Sequence, residues 1–277
     1  MAVIDLRDGM DPVRILTRQL IEAADRPDAE KPYGVYFVGS ASRFSPLART
    51  VEREVFAEVF GNDDHTMDRE YGPFEDASDF VIVVDHSIEE PSGALRMIRP
   101  NPNGLKTLID VELEPRWGRS HSDFIAFHEP SRGMEGVHDV ATIAVRGGWT
   151  NASPDLKTSH ALYAGLYWWS ITNDVELLVS AIDESVAGLL EALSIPLEPL
   201  CGLPALEYLG SAATRPYVIW VSETLRRMRV DPQIRSLLVG ELVLSDFSFP
   251  PIDLDAPDIN LQGELGEVVQ TELPSLR

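Results

Sequence analysis

Val137 to Val145 reads VHDVATIAV, and past its first three residues nothing in it is charged. An apolar run of that length without alternation suits a strand buried on both faces, and such a strand needs helices above and below it. Val175 to Ile182 (VELLVSAI) is a second buried run, and Phe80 to Asp85 (FVIVVD) is the strongest strand of the N-terminal half. Tyr33 to Val38 (YGVYFV) and Tyr217 to Val221 (YVIWV) add two more short, β-rich segments. The pattern predicts an α/β chain.

The helices are read from spacing. Val13, Ile15, Leu16, Leu20 and Ile21 give a helical lead-in over residues 1–32. Ser45-Pro46 opens a second helix, with Ser45 as its cap and Pro46 in its first turn, and Leu47, Val51, Val55 and Val59 form its stripe. GNDDHTMDREYGP reads as a polar loop. EEPSG turns Phe80–Asp85 into a return strand, Gly93 to Ile98 (GALRMI). Pro100 to Arg132 reads as irregular, with one short helix near Gly104 to Val111. Ala161 to Ile171 (ALYAGLYWWSI) is apolar on most sides and predicts a central helix, capped at Thr158 or Ser159. A further helix follows from Asp183 to Leu193. Residues 231–277, rich in acids and proline, read as an extended arm or a partly disordered tail outside the core, and a partner-docking or dimer-swapped role suits such an arm. The 277 residues thus divide into a lead-in (1–32), one main domain (33–230) and an acidic extension (231–277).

Charge and composition exclude several classes of function. With 45 Asp and Glu against 23 Lys and Arg, the net charge is −22. Such a surface repels phosphate backbones, and no basic patch offsets it, so nucleic acid is not an expected partner. One cysteine, Cys201, leaves no disulfide framework and no cysteine-based zinc site. Asn62 to His65 and the EDASD segment lack the ligand count and glycine of a calcium loop, so no metal is expected. No apolar run is long enough to cross a membrane, and the acidic N-terminus is unlike a secretion signal. These features predict a cytoplasmic protein.

The order helix, hairpin, buried strand, loop, central helix, buried strand, helix, strand resembles the GNAT fold, a mixed, mostly antiparallel sheet flanked by helices that binds acyl-CoA. Within that superfamily the text is most similar to acyl-homoserine lactone synthases and long-chain N-acyl amino acid synthases. Those families carry an arginine and a phenylalanine in an early helix, matched by Arg53 and Phe56 in REVF, here three apart rather than four. Their acidic loop before a strand is matched by Glu75, Asp76 and Asp79, and their Gly-x-x-Arg strand by Gly93 and Arg96. Their acid followed by Ser-Arg is matched at Asp139, but Ala141 and Thr142 stand where Ser-Arg would be. The usual pyrophosphate signature is absent. Arg146-Gly147-Gly148 follows the right strand at a different spacing.

The resemblance implies transfer of an acyl group from acyl-CoA, or an acyl-carrier protein, to the amine of a small molecule such as an amino acid. The thioester is then a co-substrate, and no permanent cofactor is implied. A homodimer is compatible with this reading. Asp139 orients or deprotonates the amine, or else it pairs structurally with Arg96. His138 has the ordinary pKa of a base near neutrality, but neighbours on a strand face opposite ways, so at most one of the two faces a site directly. Arg96 on an apolar strand needs a partner, for which Asp76 or Asp79 is expected. A main-chain N–H between Ala144 and Arg146 is the expected oxyanion donor. A helix start at Lys157, Thr158, Ser159 and His160, with Val145 and Arg146 before it, is the expected pyrophosphate cradle. Arg53, Phe56, Asp76, Asp79 and Trp168 are the expected substrate contacts, although Trp168 also reads as ordinary core packing. The competing reading is a catalytically degenerate GNAT-fold module that binds a ligand or a protein.

Overall fold

A computed structural model describes residues 11–24, 30–147, 156–192, 195–230 and 247–253. Its centre is one mixed sheet. Four strands run antiparallel in sequence order: β1 (Tyr33–Gly39), β2 (Ser78–Asp85), β3 (Glu90–Ile98) and β4 (Val137–Val145). β4 then meets β5 (Leu177–Asp183) in parallel, and β5 pairs antiparallel with β8 (Ser211–Trp220). The short strands β6 (Glu198–Pro199) and β7 (Leu206–Tyr208) both pair with β8. At the opposite edge β9 (Phe247–Asp253) lies parallel to β1. That stretch of the acidic extension therefore joins the sheet rather than standing apart from it. The rest of the extension lies outside the described residues.

Two helical layers cover the sheet, as the unbroken apolar runs require. On one face lie α1 (Pro12–Ala24), α2 (Ser45–Phe60), α3 (Asp64–Tyr71), α4 (Lys106–Leu113) and α5 (His121–His128). Leu47, Val51 and Val55 of α2 pack on Tyr36, Phe80, Ile82 and Ala94 there. On the other face lie α6 (Leu156–Thr172), α7 (Glu184–Ala192) and α8 (Val221–Val230). Leu162, Leu166 and Trp169 of α6 pack on Val35, Val81, Leu95 and Val140. α6 sits very close to the sheet. A Cβ on Gly165 would come within 2.6 Å of Val81, and one on Gly93 within 2.5 Å of Thr158.

Three local readings change. Ser45 is inside α2 and not its cap; its hydroxyl donates to the carbonyls of Ser40 and Ser42. The polar segment after α2 is helical. Asp63 caps α3 by accepting the Thr66 N–H at 2.8 Å, and only Met67 and Tyr71, four apart, turn inward. A helix with so thin an apolar stripe leaves almost no periodic signal. The stretch 100–132 holds two helices, α4 and α5, the second closed by a Ser120–Asp123 capping box. Among the described residues no helix is long and apolar enough to cross a membrane.

Candidate active site

The β4–β5 ladder runs only from Val137 to Asp139, opposite Leu177 to Val179; past a side-chain bond from the Ser180 hydroxyl to the Val140 carbonyl at 2.7 Å the strands part. At the point of parting β4 is bulged: Arg96 faces Thr142 and Met97 faces Val140, which leaves Ala141 without a partner on β3. Separation of two parallel strands opens a cavity of about 120 Å³. Val55, Phe56 and Phe60 of α2, with Val140, Ile143 and Ile182, make its apolar wall. Tyr71, Lys106, Thr107, Asp110, Asp183 and Tyr208 make its polar end.

Asp139 lies directly behind that polar end. It is fully buried, and its carboxylate accepts the Thr107 N–H at 2.6 Å and the Thr107 hydroxyl at 2.9 Å. It serves α4 as a cap donated from the sheet, since Leu105 at the N-cap position offers no side-chain acceptor. Burial pushes the Asp139 carboxyl up to about 7 against the pull of the Thr107 bonds; the Asp110 charge adds to the rise and Lys106 opposes it. Thr107 itself lines the cavity and is hydrogen-bonded to Asp139, so it links the two.

His138 faces the other way, edge-on to Trp169 of α6 at 5.2 Å. Its Nδ1 is buried and has no hydrogen-bond partner among the described residues. Burial, reinforced by Arg99 and Arg132, holds the imidazole down at about 4, so it is neutral near pH 7. It does not line the cavity.

Arg96 anchors the sheet face beneath α2. Its Nε and Nη2 donate to the two Glu52 oxygens at 2.9 and 2.7 Å, and Nη1 donates to Glu75 at 3.0 Å and to Ser78 at 3.3 Å. The guanidinium also lies 4.8 Å from the Phe80 ring centre and 5.2 Å from that of Tyr71. Thr142 donates a further hydrogen bond to Glu52, and Arg49 pairs with Glu75. The expected partners, Asp76 and Asp79, are not Arg96's, and neither is Asp139. Strand alternation explains Asp79: Phe80 is opposite Arg96 and shares its face, whereas Asp79 is opposite Met97 and pairs with Arg99 at 3.0 Å. Asp76 is exposed in the 3-10 turn at Gly72–Ala77, and only its carbonyl meets Arg99.

A second polar cluster closes the cavity. The Lys106 ammonium donates to Glu70 at 2.9 Å, to Asp110 at 2.6 Å and to the Tyr208 hydroxyl at 3.0 Å, and Tyr208 donates in turn to Asp110. Burial raises the Asp110 carboxyl and pushes the Tyr71 and Tyr208 phenols far upward, so both phenols stay neutral.

The expected site residues therefore fall into three groups. Phe56 lines the cavity, and Asp139 and Arg96 lie in the polar layer around it. Val145, Arg146, Thr158, Ser159 and His160 gather at the far end of β4, where the Arg146 N–H donates to the Ser92 carbonyl at 2.9 Å and the Thr158 hydroxyl lies 3.2 Å from that of Ser92. There α6 begins at Leu156, so Lys157 to His160 form its first turn and not its cap. Residues 148–155, which link it to β4, lie outside the described residues. The Arg146 side chain pairs with Glu54 at 2.7 Å. Arg53, Asp76, Asp79 and Trp168 do not line the cavity. Arg53 ties α2 to α3 through Asp64 and Asp68, and Trp168 packs against the core under α6. The oxyanion expectation shifts: of the expected span only Val145 is left, and Ile143, just before it, joins. Arg146 spends its N–H on β3 and Ala144 follows the same alternation, so Ile143 and Val145 turn their N–H groups toward the side that β5 vacates.

Glu52, Lys106, Thr107, Asp110 and Tyr208 were not singled out by the sequence. Glu52 had one legible signal: a carboxylate on the buried stripe of α2, between Val51 and Val55. Among the described residues no group of side chains could hold a metal ion.

Neither a family model nor a curated relative matches this chain. Solved structures do. FeeM, an N-acyl amino acid synthase from uncultured soil microbes, superposes with a TM-score of 0.51 at 13% identity, over 70% of this chain and 94% of its own. The fold is GNAT-like. The CoA-dependent acyl-homoserine lactone synthase BjaI, bound to SAM and isopentyl-CoA, aligns at a TM-score of 0.45 and 11% identity, over 84% of this chain and 98% of its own. The inhibitor-bound TofI aligns at 0.48 and 15% identity, over 73% of this chain and 99% of its own.

Proposed function

We propose that the protein is an N-acyltransferase that moves an acyl group from a thioester, acyl-CoA in the first instance, to the amine of a small molecule. The observation that carries this reading is the cavity at the β4–β5 parting, apolar along α2 and backed at its polar end by the Thr107–Asp139 pair. The apolar wall suits an acyl chain. The polar end suits an amine that must lose a proton before it attacks. The amine nitrogen forms a C–N bond to the thioester carbonyl carbon, and the C–S bond breaks. Thr107 relays the amine proton to Asp139, whose pKa of about 7 suits a base at neutral pH. The Ile143 N–H supports the oxyanion; as it collapses, the attacking nitrogen gives its second proton to the departing thiolate, which leaves as the thiol, and Asp139 returns the first proton to water. Val145, Arg146 and the first turn of α6 at Lys157 to His160 receive the CoA phosphates. The charge of −22 opposes docking of an acidic carrier protein and favours free acyl-CoA as the donor.

The test is thermal stability against CoA, acetyl-CoA and longer acyl-CoAs, followed by thiol release with a panel of amines. A shift that grows with chain length, with thiol released only when an amine is present, is the expected result. A shift without turnover selects the second reading, a GNAT-fold binding module, which Ala141 and Thr142 in place of Ser-Arg favour. No shift with any thioester, and no thiol release, overturns the acyl-CoA reading.

A further inference from the structure

The charged residues lining the cavity, among those described, are Lys106, Asp110 and Asp183. Lys106 has three N–H bonds to give, and Glu70, Asp110 and Tyr208 take all three, at 2.9, 2.6 and 3.0 Å. Other side-chain donors on the wall are equally committed, and the Ile143 N–H, which faces the vacated side, is neutral. The hydroxyl of Thr107 serves Asp139, that of Thr142 serves Glu52, that of Ser180 serves the Val140 carbonyl, and that of Ser211 serves Asp183. The hydroxyls of Tyr71 and Thr214 remain, and both are neutral. Acceptor capacity is what the wall has in excess. Asp110 takes its bonds from Lys106 and Tyr208 on Oδ2, and its Oδ1 accepts none among the described residues.

We infer that the acceptor is a primary amine without a carboxylate beside it, an alkyl- or arylalkylamine rather than an α-amino acid. The inference rests on the acyltransferase reading of the same cavity. Two carboxylates outnumber one ammonium whose hydrogens are all engaged, so a cationic amine finds a counter-charge and a free acceptor at Asp110 Oδ1. The carboxylate of an amino acid would shed its water, meet like charge and find no cationic donor.

Matched pairs that differ only by the carboxylate test this: tyramine against tyrosine, and phenethylamine against phenylalanine. Thiol release from dodecanoyl-CoA by the full chain is expected to give a kcat/KM for each amine about a hundredfold or more above that of its amino acid. Calorimetric titration without the acyl donor is expected to show binding of the amine alone. Amino acids that react or bind as well as their amines overturn the inference and leave the acyltransferase reading standing. Selective amine binding without acyl transfer overturns the acyltransferase reading, and with it the role of acceptor, while the cavity's preference for amines stands. Binding and reaction of neither member overturns it as well. Asp110→Asn is expected to weaken amine binding at least tenfold and to narrow the discrimination. Should that variant not fold, Asp183→Asn removes the second carboxylate and is expected to narrow it too; unchanged discrimination in the folded variant counts against the inference.

Discussion

Asp139 and His138 are adjacent on one buried strand and face opposite helical layers, and their surroundings differ as much as the layers do. Asp139 faces α4 and α2, where Glu52, Arg96, Thr142, Lys106 and Asp110 form hydrogen-bonded polar clusters beside a cavity. His138 faces α6, where it meets the edge of Trp169 and one ring nitrogen has no partner among the described residues. Burial moves both pKa values, up to about 7 for the acid and down to about 4 for the imidazole, because it disfavours the charged form of each. The lesson is that burial alone does not mark a functional group. What separates the two is a polar neighbour that reaches the cavity, which Asp139 has in Thr107 and His138 lacks.

The largest effect expected from breaking this asymmetry is in Asp139→Asn. Acyl transfer should fall about 10²- to 10⁴-fold. The wild-type rate should rise through about pH 7 as Asp139 loses its proton, and the variant should lose that inflection. A pH–rate profile that survives the substitution assigns the base elsewhere. Next is Glu52→Ala, which strips the buried Arg96 of its bidentate partner and should cost about 3–5 kcal/mol in denaturant unfolding. Replacing Glu52 and Arg96 together by Met should cost far less, since no charge is then stranded.

The two sides of β4 also predict opposite slopes of stability with pH. Asp139 titrates at about 7 in the fold against an ordinary 3.8, so the unfolded chain ionises first and its contribution declines as pH rises from 3.8 to 7. His138 titrates at about 4 against an ordinary 6.5, so the unfolded chain takes up the proton first and its contribution declines as pH falls from 6.5 to 4. Unfolding curves for His138→Leu should therefore lose part of the acid-side fall, and those for Asp139→Asn part of the decline toward neutrality. Identical pH dependence in wild type and both variants would remove the contrast. The smallest effect belongs to Arg53→Ala. Arg53 is half-exposed and pairs with exposed Asp64 and Asp68, so stability should change by less than about 1 kcal/mol. A large loss of acyl transfer in this variant would bring Arg53 back to the site.

Much of the architecture is written locally. The apolar runs that become β2, β4 and β5, the stripe of α2 and the apolar α6 each depend on contacts that periodicity announces, and their order carries the likeness to the GNAT fold. α3 and α5 escaped because each turns few residues inward and leans on capping. Asp139 stands out in the sequence by its place before an uncharged run, and it is buried beside the cavity in the fold. The tertiary structure alone decided who meets whom. Arg96 finds Glu52 at a separation of 44 residues, Thr107 reaches Asp139 across 32, and Tyr208 reaches Lys106 across 102. Nor does any single segment encode the parting of β4 from β5, which depends on a bulge in one strand and a register set with the other. Local sequence determines which faces must be buried, because apolar surface is counted residue by residue. Pairing of buried charges is decided only when the faces close, because a charge out of water takes whatever partner the packing brings within hydrogen-bond reach.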